Sequence, residues 1–306
     1  MQKSTSSGWT RRRVLAAGLG GAVAVVAGGL ELVDHGVLPG KHTLDELDGA
    51  CSVGVPRETF GAEGPTITGA FFSQARNREV GYTLAYPPGH RRGSRLPLGV
   101  YLHADGGNHA STLGGLTLAK ALADRSGESG LPPTALVAAD GGNLYWNAHP
   151  RDDPMAMVIE EIIPMCRQLG LGRAPASIGA IGISMGGYGA LLLAEKHPEL
   201  IAAVAAISPA VWTSYAQAQA ANPSAYATAQ DFARDDVITH ARVLANTPVR
   251  VASGDDDPFH PGVLALARRL PAHATVDLTA GCHDGDFFAS QQHASLEFLT
   301  QHIAST

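Results

Sequence analysis

The feature that most constrains the fold of this chain is a short glycine-rich segment around Ser184. Gly182, Ser184 and Gly186 form a G-x-S-x-G pattern. Residues 177–183 before it are typical of a buried strand, and residues 188–196 after it are typical of a helix that opens with small residues. Side chains two positions before and after Ser184 would collide in a sharp turn, so glycine is expected there. The segment therefore predicts a strand, a tight turn with Ser184 at its tip, and a helix close to a sheet.

Short apolar segments alternate with helical patterns from about residue 65 onward. This alternation predicts an α/β fold with a mostly parallel sheet that helices cover on both faces. The first two strands have no helix between them, so an antiparallel start is expected. The predicted strands are 67–72, 80–86, 98–103, 135–139, 178–183, 203–207, 249–252 and 276–279. The predicted helices are 116–123, 155–169, 186–196, 261–269 and 290–303.

One long segment, 210–246, falls outside this alternation. It is polar and rich in alanine, and it carries Trp212, Tyr215 and Tyr226. An insertion of this length between two core strands is expected to be either a small solvated helical elaboration or a cap that covers the substrate.

The N-terminal 33 residues have the pattern of a targeting signal. Arginines at positions 11 to 13 precede an apolar run rich in alanine, glycine and valine. A charged region before a short apolar region is typical of secretion signals, and the paired arginines followed by Val14 and Leu15 resemble a twin-arginine signal. We therefore expect an exported protein, periplasmic, extracellular or in the cell envelope. The alternative is an uncleaved anchor that tethers the protein to a membrane through residues 14–30.

The composition and periodicity of the sequence also predict the domain boundaries. Residues 34–64 carry proline, glycine and charge with little periodicity, which predicts a linker or N-terminal arm. Residues 65–306 then form one globular domain, a size that a single core supports.

Charge and cysteine content exclude several function classes. The net charge is −6 with 22 Lys and Arg, and nucleic-acid binding needs a clustered excess of basic residues. Cys51, Cys166 and Cys282 have no metal-ligand spacing, and no HExxH pattern occurs. We therefore expect no nucleic-acid partner, no metal and no cofactor. One disulfide among the three cysteines and three buried thiols are both compatible with the pattern.

Residue types downstream of Ser184 supply what a serine nucleophile needs. A serine hydroxyl requires a base within hydrogen-bonding distance, and His283 follows the last predicted strand in a loop. An acid must orient the imidazole. Three consecutive carboxylates, at 255–257, lie in the turn after the strand 249–252, and they cannot all be buried as ions. Asp257, which precedes a proline, is the preferred candidate and Asp255 is the alternative.

Two further groups of residues are candidates for binding the substrate. Backbone amides that stabilise a negative oxygen are expected from Met185, at the start of the helix, and from Asp105 or Gly106 in the loop after the third strand. Tyr145 and Trp146 lie in the loop after the fourth strand. They could line an acyl or sugar pocket, or they could pack in the surface of the domain.

Five segments in a fixed order resemble a known group. These are 140–142, 161–164, 182–191, 254–259 and 281–283, and together they resemble the esterase D group of α/β-hydrolases. That group includes S-formylglutathione hydrolases, feruloyl and acetylxylan esterases, and actinobacterial mycolyltransferases. The resemblance covers roughly residues 65–305.

The resemblance implies an α/β-hydrolase fold and a serine hydrolase activity. It implies a triad of Ser184, Asp257 and His283, with oxyanion amides at Met185 and in the loop after His103. We therefore predict an exported serine esterase that hydrolyses carboxylic esters of small molecules or of the cell envelope through an acyl-enzyme. Two alternatives are an acyltransferase of the cell envelope and a non-catalytic envelope-binding protein that keeps the fold.

Overall fold

The structure is a computed structural model that describes residues 51, 53–55, 61–123, 130–173 and 177–304. The predicted signal at 1–33, with its alternative as a membrane tether at 14–30, lies outside the described residues, as does most of the predicted arm at 34–64. The chain from Val53 to Thr306 forms one compact unit. Among the described helices, none combines the length and the hydropathy needed to cross a membrane.

The centre of the unit is an eight-stranded sheet with the strand order β1-β2-β4-β3-β5-β6-β7-β8. β1 pairs with β2, and β2 with β4, in antiparallel fashion, and all the other pairs are parallel. The strands are β1 (Thr66–Ser73), β2 (Arg78–Ala85), β3 (Leu98–Leu102), β4 (Ala135–Ala139), β5 (Ile178–Ile183), β6 (Ile201–Ile207), β7 (Val249–Gly254) and β8 (Thr275–Thr279).

Burial along the strands explains their place in the sheet. Every residue of β3, β4 and β5 is buried, because central parallel strands are covered by helices on both faces. β1 instead alternates between exposed and half-buried positions, which is the pattern of an edge strand with one covered face.

Helices cover both faces. They are α1 (Leu118–Ala123), α2 (Pro154–Met157), α3 (Ile163–Gln168), α4 (Met185–Lys196), α5 (Tyr215–Ala221), α6 (Ala229–Arg234), α7 (Val237–His240), α8 (His260–Ala267) and α9 (Gly285–Ala304). α9 lies very close to β5, because a Cβ on Gly179 would approach the side chains of Leu299 and Ile303 to 2.7 and 2.9 Å. The absence of a side chain at position 179 thus allows the apolar face of α9 to pack on the sheet.

The helix predicted at 155–169 is continuous but changes its geometry in the middle. A π-helical segment, Val158–Ile162, separates α2 from α3. Pro164 follows it and has no backbone N–H to donate to the preceding turn, which favours a local widening of the helix.

The C-terminal helix begins earlier than the sequence pattern predicted, at residue 285 rather than 290. The Asp284 carboxylate accepts a hydrogen bond from the Phe287 N–H at 2.9 Å, as an N-terminal cap does. The segment 210–246 contains α5, α6, α7 and a 3₁₀ helix, Ala241–Asn246. It is therefore the helical insertion that was predicted, and the whole has the α/β-hydrolase architecture.

Candidate active site

The turn between β5 and α4 holds Ser184 in a strained conformation. Ser184 has φ 57° and ψ −120°, in the region of positive φ that L-residues rarely adopt. A Cβ on Gly182 would lie 2.1 Å from the Gly186 oxygen, and one on Gly186 would lie 1.9 Å from the Leu102 oxygen. The Ser184 N–H donates to the Ile207 oxygen at 2.9 Å. The turn is therefore fixed by contacts with both neighbouring strands.

The structure brings three of the predicted residues into one chain of hydrogen bonds. His283 Nε2 lies 2.8 Å from Ser184 Oγ, and His283 Nδ1 lies 2.8 Å from Asp257 Oδ2. The Asp257 side chain is buried, and its Oδ1 accepts from the Phe259 N–H at 2.8 Å. Asp255, the alternative acid, is exposed. The bend of the loop directs Asp257 inward and Asp255 outward. The run of three aspartates in the sequence does not show this bend.

Backbone contacts between the loops after β7 and β8 set the distance between the acid and the imidazole. The Asp255 N–H donates to the Thr279 oxygen at 2.9 Å, and the Asp256 N–H donates to the Gly281 oxygen at 3.0 Å. A Cβ on Gly254 would lie 2.1 Å from that same Gly281 oxygen. These backbone contacts hold the two loops against each other.

Aromatic rings surround the imidazole. The ring centroids of Phe259 and Phe288 both lie 5.1 Å from that of His283, and Trp212 lies 5.6 Å from Phe259. Sequence reasoning did not propose Phe259 or Phe288 as site residues. Their positions in the sequence could have indicated a place at the site. Phe259 follows Asp257 by two residues, and Phe288 lies in the first turn of α9, soon after His283. These rings shield the imidazole and form apolar surface beside Ser184.

Tyr145 and Trp146, which the sequence allows either to line a substrate pocket or to pack in the surface of the domain, are both buried. They are 5 % and 1 % exposed. The Tyr145 ring packs against Trp212 at 4.7 Å, behind the aromatic surface, and the Trp146 indole N–H donates to the His103 oxygen at 3.3 Å. Both residues have φ of 55°, in the left-handed region that L-residues rarely adopt.

Trp146 also borders a half-open cavity of about 190 Å³ beside the far end of α4. Its lining includes Leu192 and Lys196. At about 1.5 Å per residue, Lys196 lies roughly 17 Å along the helix axis from Met185. This cavity is therefore separate from the Ser184 site.

The loop after β3, one of the two expected sources of oxyanion amides, begins in contact with the first turn of α4, because a Cβ on Gly186 would lie 1.9 Å from the Leu102 oxygen. Met185 is the first residue of α4, and N–H groups of a first helical turn have no acceptor within the helix. Of the two candidates in the loop after β3, the Gly106 N–H already donates to Asn143 Oδ1 at 3.0 Å. Asp105, which is exposed, is thus the better candidate of the two.

The cysteines differ in whether their sulfur is oxidised to a disulfide or remains a free thiol. Cys282, next to His283, is part of a disulfide, whereas Cys166 is a free and buried thiol. Burial raises the pKa of Cys166 to about 12. A thiol that stays protonated is a poor nucleophile, so Cys166 has a packing role.

Comparison with known proteins gives a family and a fold. A family model named Esterase matches residues 73–261 of the chain. No curated protein sequence matches this chain significantly. Solved structures with the same fold include a ferulic acid esterase, with 18 % identity, a TM-score of 0.65 and coverage of 78 % of this chain and 99 % of the other.

Two further solved structures share the fold. An S-formylglutathione hydrolase from Agrobacterium tumefaciens has 18 % identity, a TM-score of 0.63 and coverage of 82 % of this chain and 100 % of the other. MPT51 (FbpC1) from Mycobacterium tuberculosis has 20 % identity, a TM-score of 0.59 and coverage of 78 % and 99 %. At these identities the structural likeness shows the fold alone.

Proposed function

The chain belongs to the Esterase family, and from this premise we propose that it is an exported serine esterase that forms an acyl-enzyme on Ser184. The observation that carries the proposal is the continuous contact from Ser184 Oγ through His283 to Asp257, with both distances at 2.8 Å. A hydroxyl, an imidazole and a buried carboxylate in this order can move a proton from serine to histidine.

The reaction has two steps. Ser184 Oγ attacks the ester carbonyl carbon while its proton passes to His283 Nε2, and the Asp257 carboxylate stabilises the imidazolium through Nδ1–H. The tetrahedral intermediate collapses, the C–O bond to the alcohol breaks, and His283 returns the proton to the leaving alkoxide. Water then repeats the sequence on the acyl-enzyme, with His283 as its base, and releases the carboxylic acid and free Ser184.

Negative charge develops on the carbonyl oxygen in both steps. We assign its stabilisation to the amides of Met185 and Asp105. Met185 adds the favourable end of the α4 dipole. Removing one such donor in related chemistry costs about 10²- to 10³-fold in kcat.

The aromatic surface at the site favours substrates with an apolar acyl group. Phe259, Phe288 and Trp212 lie on the imidazole side of Ser184, and apolar groups that leave water for such surface contribute roughly 25 cal/mol per Å². We propose carboxylic esters with an apolar acyl group as the substrate class.

Export is part of the proposal because of the arginine-led apolar segment in residues 1–33. Fractionation of cells that express the tagged full chain tests it. The proposal predicts the protein outside the cytoplasm, and replacing the arginines at 11 to 13 by lysine should retain it inside. Accumulation of the unaltered chain in the cytoplasm would contradict export but leave the esterase proposal intact.

The activity is tested with p-nitrophenyl esters of graded acyl length. The purified protein should release p-nitrophenol, and Ser184→Ala should abolish the release. Ser224→Ala, at an exposed serine in the helical insertion, is the matched control and should keep full activity. Equal turnover by the wild type and Ser184→Ala would refute the assignment, and so would a wild type with no activity on any ester.

A further inference from the structure

One buried side chain, that of His103, is among the groups that join the loop after β3 to the loop after β4. His103, at the end of β3, is fully buried. Its Nε2 accepts a hydrogen bond from the Gly141 N–H at 2.9 Å, and its backbone oxygen accepts from the Trp146 indole at 3.3 Å. The Trp146 ring also packs against the His103 ring, with centroids 5.1 Å apart. His103 is therefore held on several sides.

The partners of His103 define its tautomer. Nε2 faces a backbone N–H and so must carry the lone pair. Nδ1 lies 2.8 Å from the Ala104 oxygen, which can only accept, and so Nδ1 must carry the proton. The ring is thus a neutral imidazole that donates through Nδ1 and accepts through Nε2. Burial, which lowers the pKa of His103, favours the same neutral form.

The Ala104 oxygen also accepts a second hydrogen bond, from the Gly107 N–H at 3.0 Å. Two donors on one carbonyl fix the plane of the peptide between Ala104 and Asp105. In a trans peptide the N–H points opposite to the C=O. The Asp105 N–H is therefore directed away from the His103 ring and from the interior of the turn.

This loop starts beside the nucleophile. The backbone oxygen of Leu102 and that of His103 would lie 1.9 and 2.7 Å from a Cβ on Gly186, so the chain leaves β3 in direct contact with the first turn of α4. The Asp105 amide thus belongs to the same small region as Ser184 and the Met185 amide.

We propose that His103 is a positioning residue for the oxyanion amide of Asp105. Its Nδ1–H holds the Ala104–Asp105 peptide so that the Asp105 N–H faces the ester oxygen as that oxygen becomes negative, and its Nε2 ties this loop to Gly141. The inference rests on the proposed function. On this account the loop that carries Tyr145 and Trp146 is the support of the oxyanion loop rather than a wall of the substrate pocket.

Two substitutions separate the two hydrogen bonds of the ring. His103→Asn places an amide N–H₂ near the position of Nδ1 and keeps the donor to Ala104. His103→Gln places its terminal amide oxygen near the position of Nε2 and keeps the acceptor for Gly141, but it leaves the Ala104 oxygen without this donor. If the donor to Ala104 is what matters, His103→Gln should lose about 10²-fold in kcat, as expected for a displaced oxyanion donor. His103→Asn should lose less than about tenfold, and KM should change by less than about threefold in both.

A matched pair of substrates separates positioning from general loss of structure. In a thionoester the C=O group of the ester is replaced by C=S. The thiocarbonyl sulfur accepts hydrogen bonds more weakly than the carbonyl oxygen. A variant with a displaced oxyanion donor should therefore lose much more rate on the ester than on the corresponding thionoester. A variant that only folds poorly should lose the same factor on both. His109→Asn, which removes an imidazole from the same loop without touching the Ala104 oxygen, should keep wild-type rates on both substrates.

A fall in the ester-to-thionoester ratio of about tenfold or more for His103→Gln, with partial recovery in His103→Asn, is the expected result. Wild-type rates in both His103 variants would overturn the positioning role. So would equal losses on the two substrates, which would give His103 a purely structural role. Failure of the wild type and His109→Asn to hydrolyse either substrate would instead refute the proposed esterase function, and the positioning role with it.

Discussion

Ser184 and His283 are 99 positions apart in the sequence, yet Ser184 Oγ and His283 Nε2 lie 2.8 Å apart at the carboxyl edge of the sheet. The parallel strands β5 and β8 carry them to the same edge, where loops of this kind of sheet converge. The contact depends on a strained turn at one residue and on a loop held by backbone hydrogen bonds at the other. Each of these supports can be tested separately.

The acid is tested by removing its charge. Asp257→Asn keeps the size of the side chain but favours the wrong imidazole tautomer, and in other serine hydrolases this change lowers kcat by about 10⁴-fold. We expect a loss of that order in steady-state ester hydrolysis. Asp255→Asn, at the exposed neighbour, should stay within about twofold of the wild type. A greater loss for Asp255→Asn than for Asp257→Asn would reverse the assignment of the acid.

The nucleophile turn should tolerate no side chain at Gly186. Gly186→Ala forces a Cβ to within 1.9 Å of the Leu102 oxygen, which only a backbone shift can relieve. We expect a loss of about 1–3 kcal/mol in the free energy of unfolding. Gly285→Ala is the control, because nothing lies within 4 Å of a Cβ there. Chemical denaturation measures both, and equal stability of the two variants would show that the turn has room for a Cβ at position 186.

A buried acid in α4 makes stability depend on pH. Glu195 is 7 % exposed, neither carboxylate oxygen has a hydrogen-bond partner, and burial raises its pKa from 4.5 to about 9. The folded state therefore holds a proton that the unfolded state releases above pH 4.5. Stability is full below pH 4.5 and falls as the pH rises toward 9, by about 1.4 kcal/mol per pH unit from this group.

Glu195→Gln tests this dependence by removing the titration. The variant should melt at a higher temperature than the wild type at pH 8, and the difference should vanish near pH 4. Glu199→Gln, at an exposed glutamate four positions along the chain, should follow the wild type at both pH values. A wild type that melts at the same temperature as Glu195→Gln at pH 8 would place the Glu195 pKa near its ordinary value.

The aromatic surface beside the imidazole should limit the acyl group. Trp212 contacts Phe259, which contacts His283, so Trp212→Ala should open space on that side of Ser184. We expect the ratio of kcat/KM for long over short acyl esters to rise by about tenfold, since one or two additional buried methylenes contribute about 1–2 kcal/mol. Phe72→Ala, an exposed ring on β1, is the control. An unchanged chain-length profile in Trp212→Ala would place the acyl group elsewhere.

Much of the fold followed from local patterns in the sequence. The strand, turn and helix around Ser184 were predictable because only glycine fits at 182 and 186, and the mostly parallel sheet followed from the alternation of strands and helices. The start of α9 was misplaced by five residues, since the Asp284 cap lies within a loop already assigned to the site. A search for caps could have found it.

The site was less accessible to sequence reasoning than the fold. Three adjacent aspartates look alike in the sequence, and only the bend of their loop buries Asp257 and exposes Asp255. Tyr145 and Trp146 follow a strand that ends at the site, and the sequence does not reveal that both side chains are buried. The role of His103 could not be read from the sequence, because two of its partners, Gly141 and Trp146, belong to a different loop.

The central claim is that Ser184 forms the acyl-enzyme, and mass spectrometry of the intact protein tests it most directly. After reaction with a fluorophosphonate, or with a slowly released p-nitrophenyl ester, the wild type should gain the mass of one phosphonyl or acyl group. Peptide mapping should place that group on Ser184, and Ser184→Ala should remain unmodified. A folded wild type that gains no mass, or a group found on any other residue, would contradict the account.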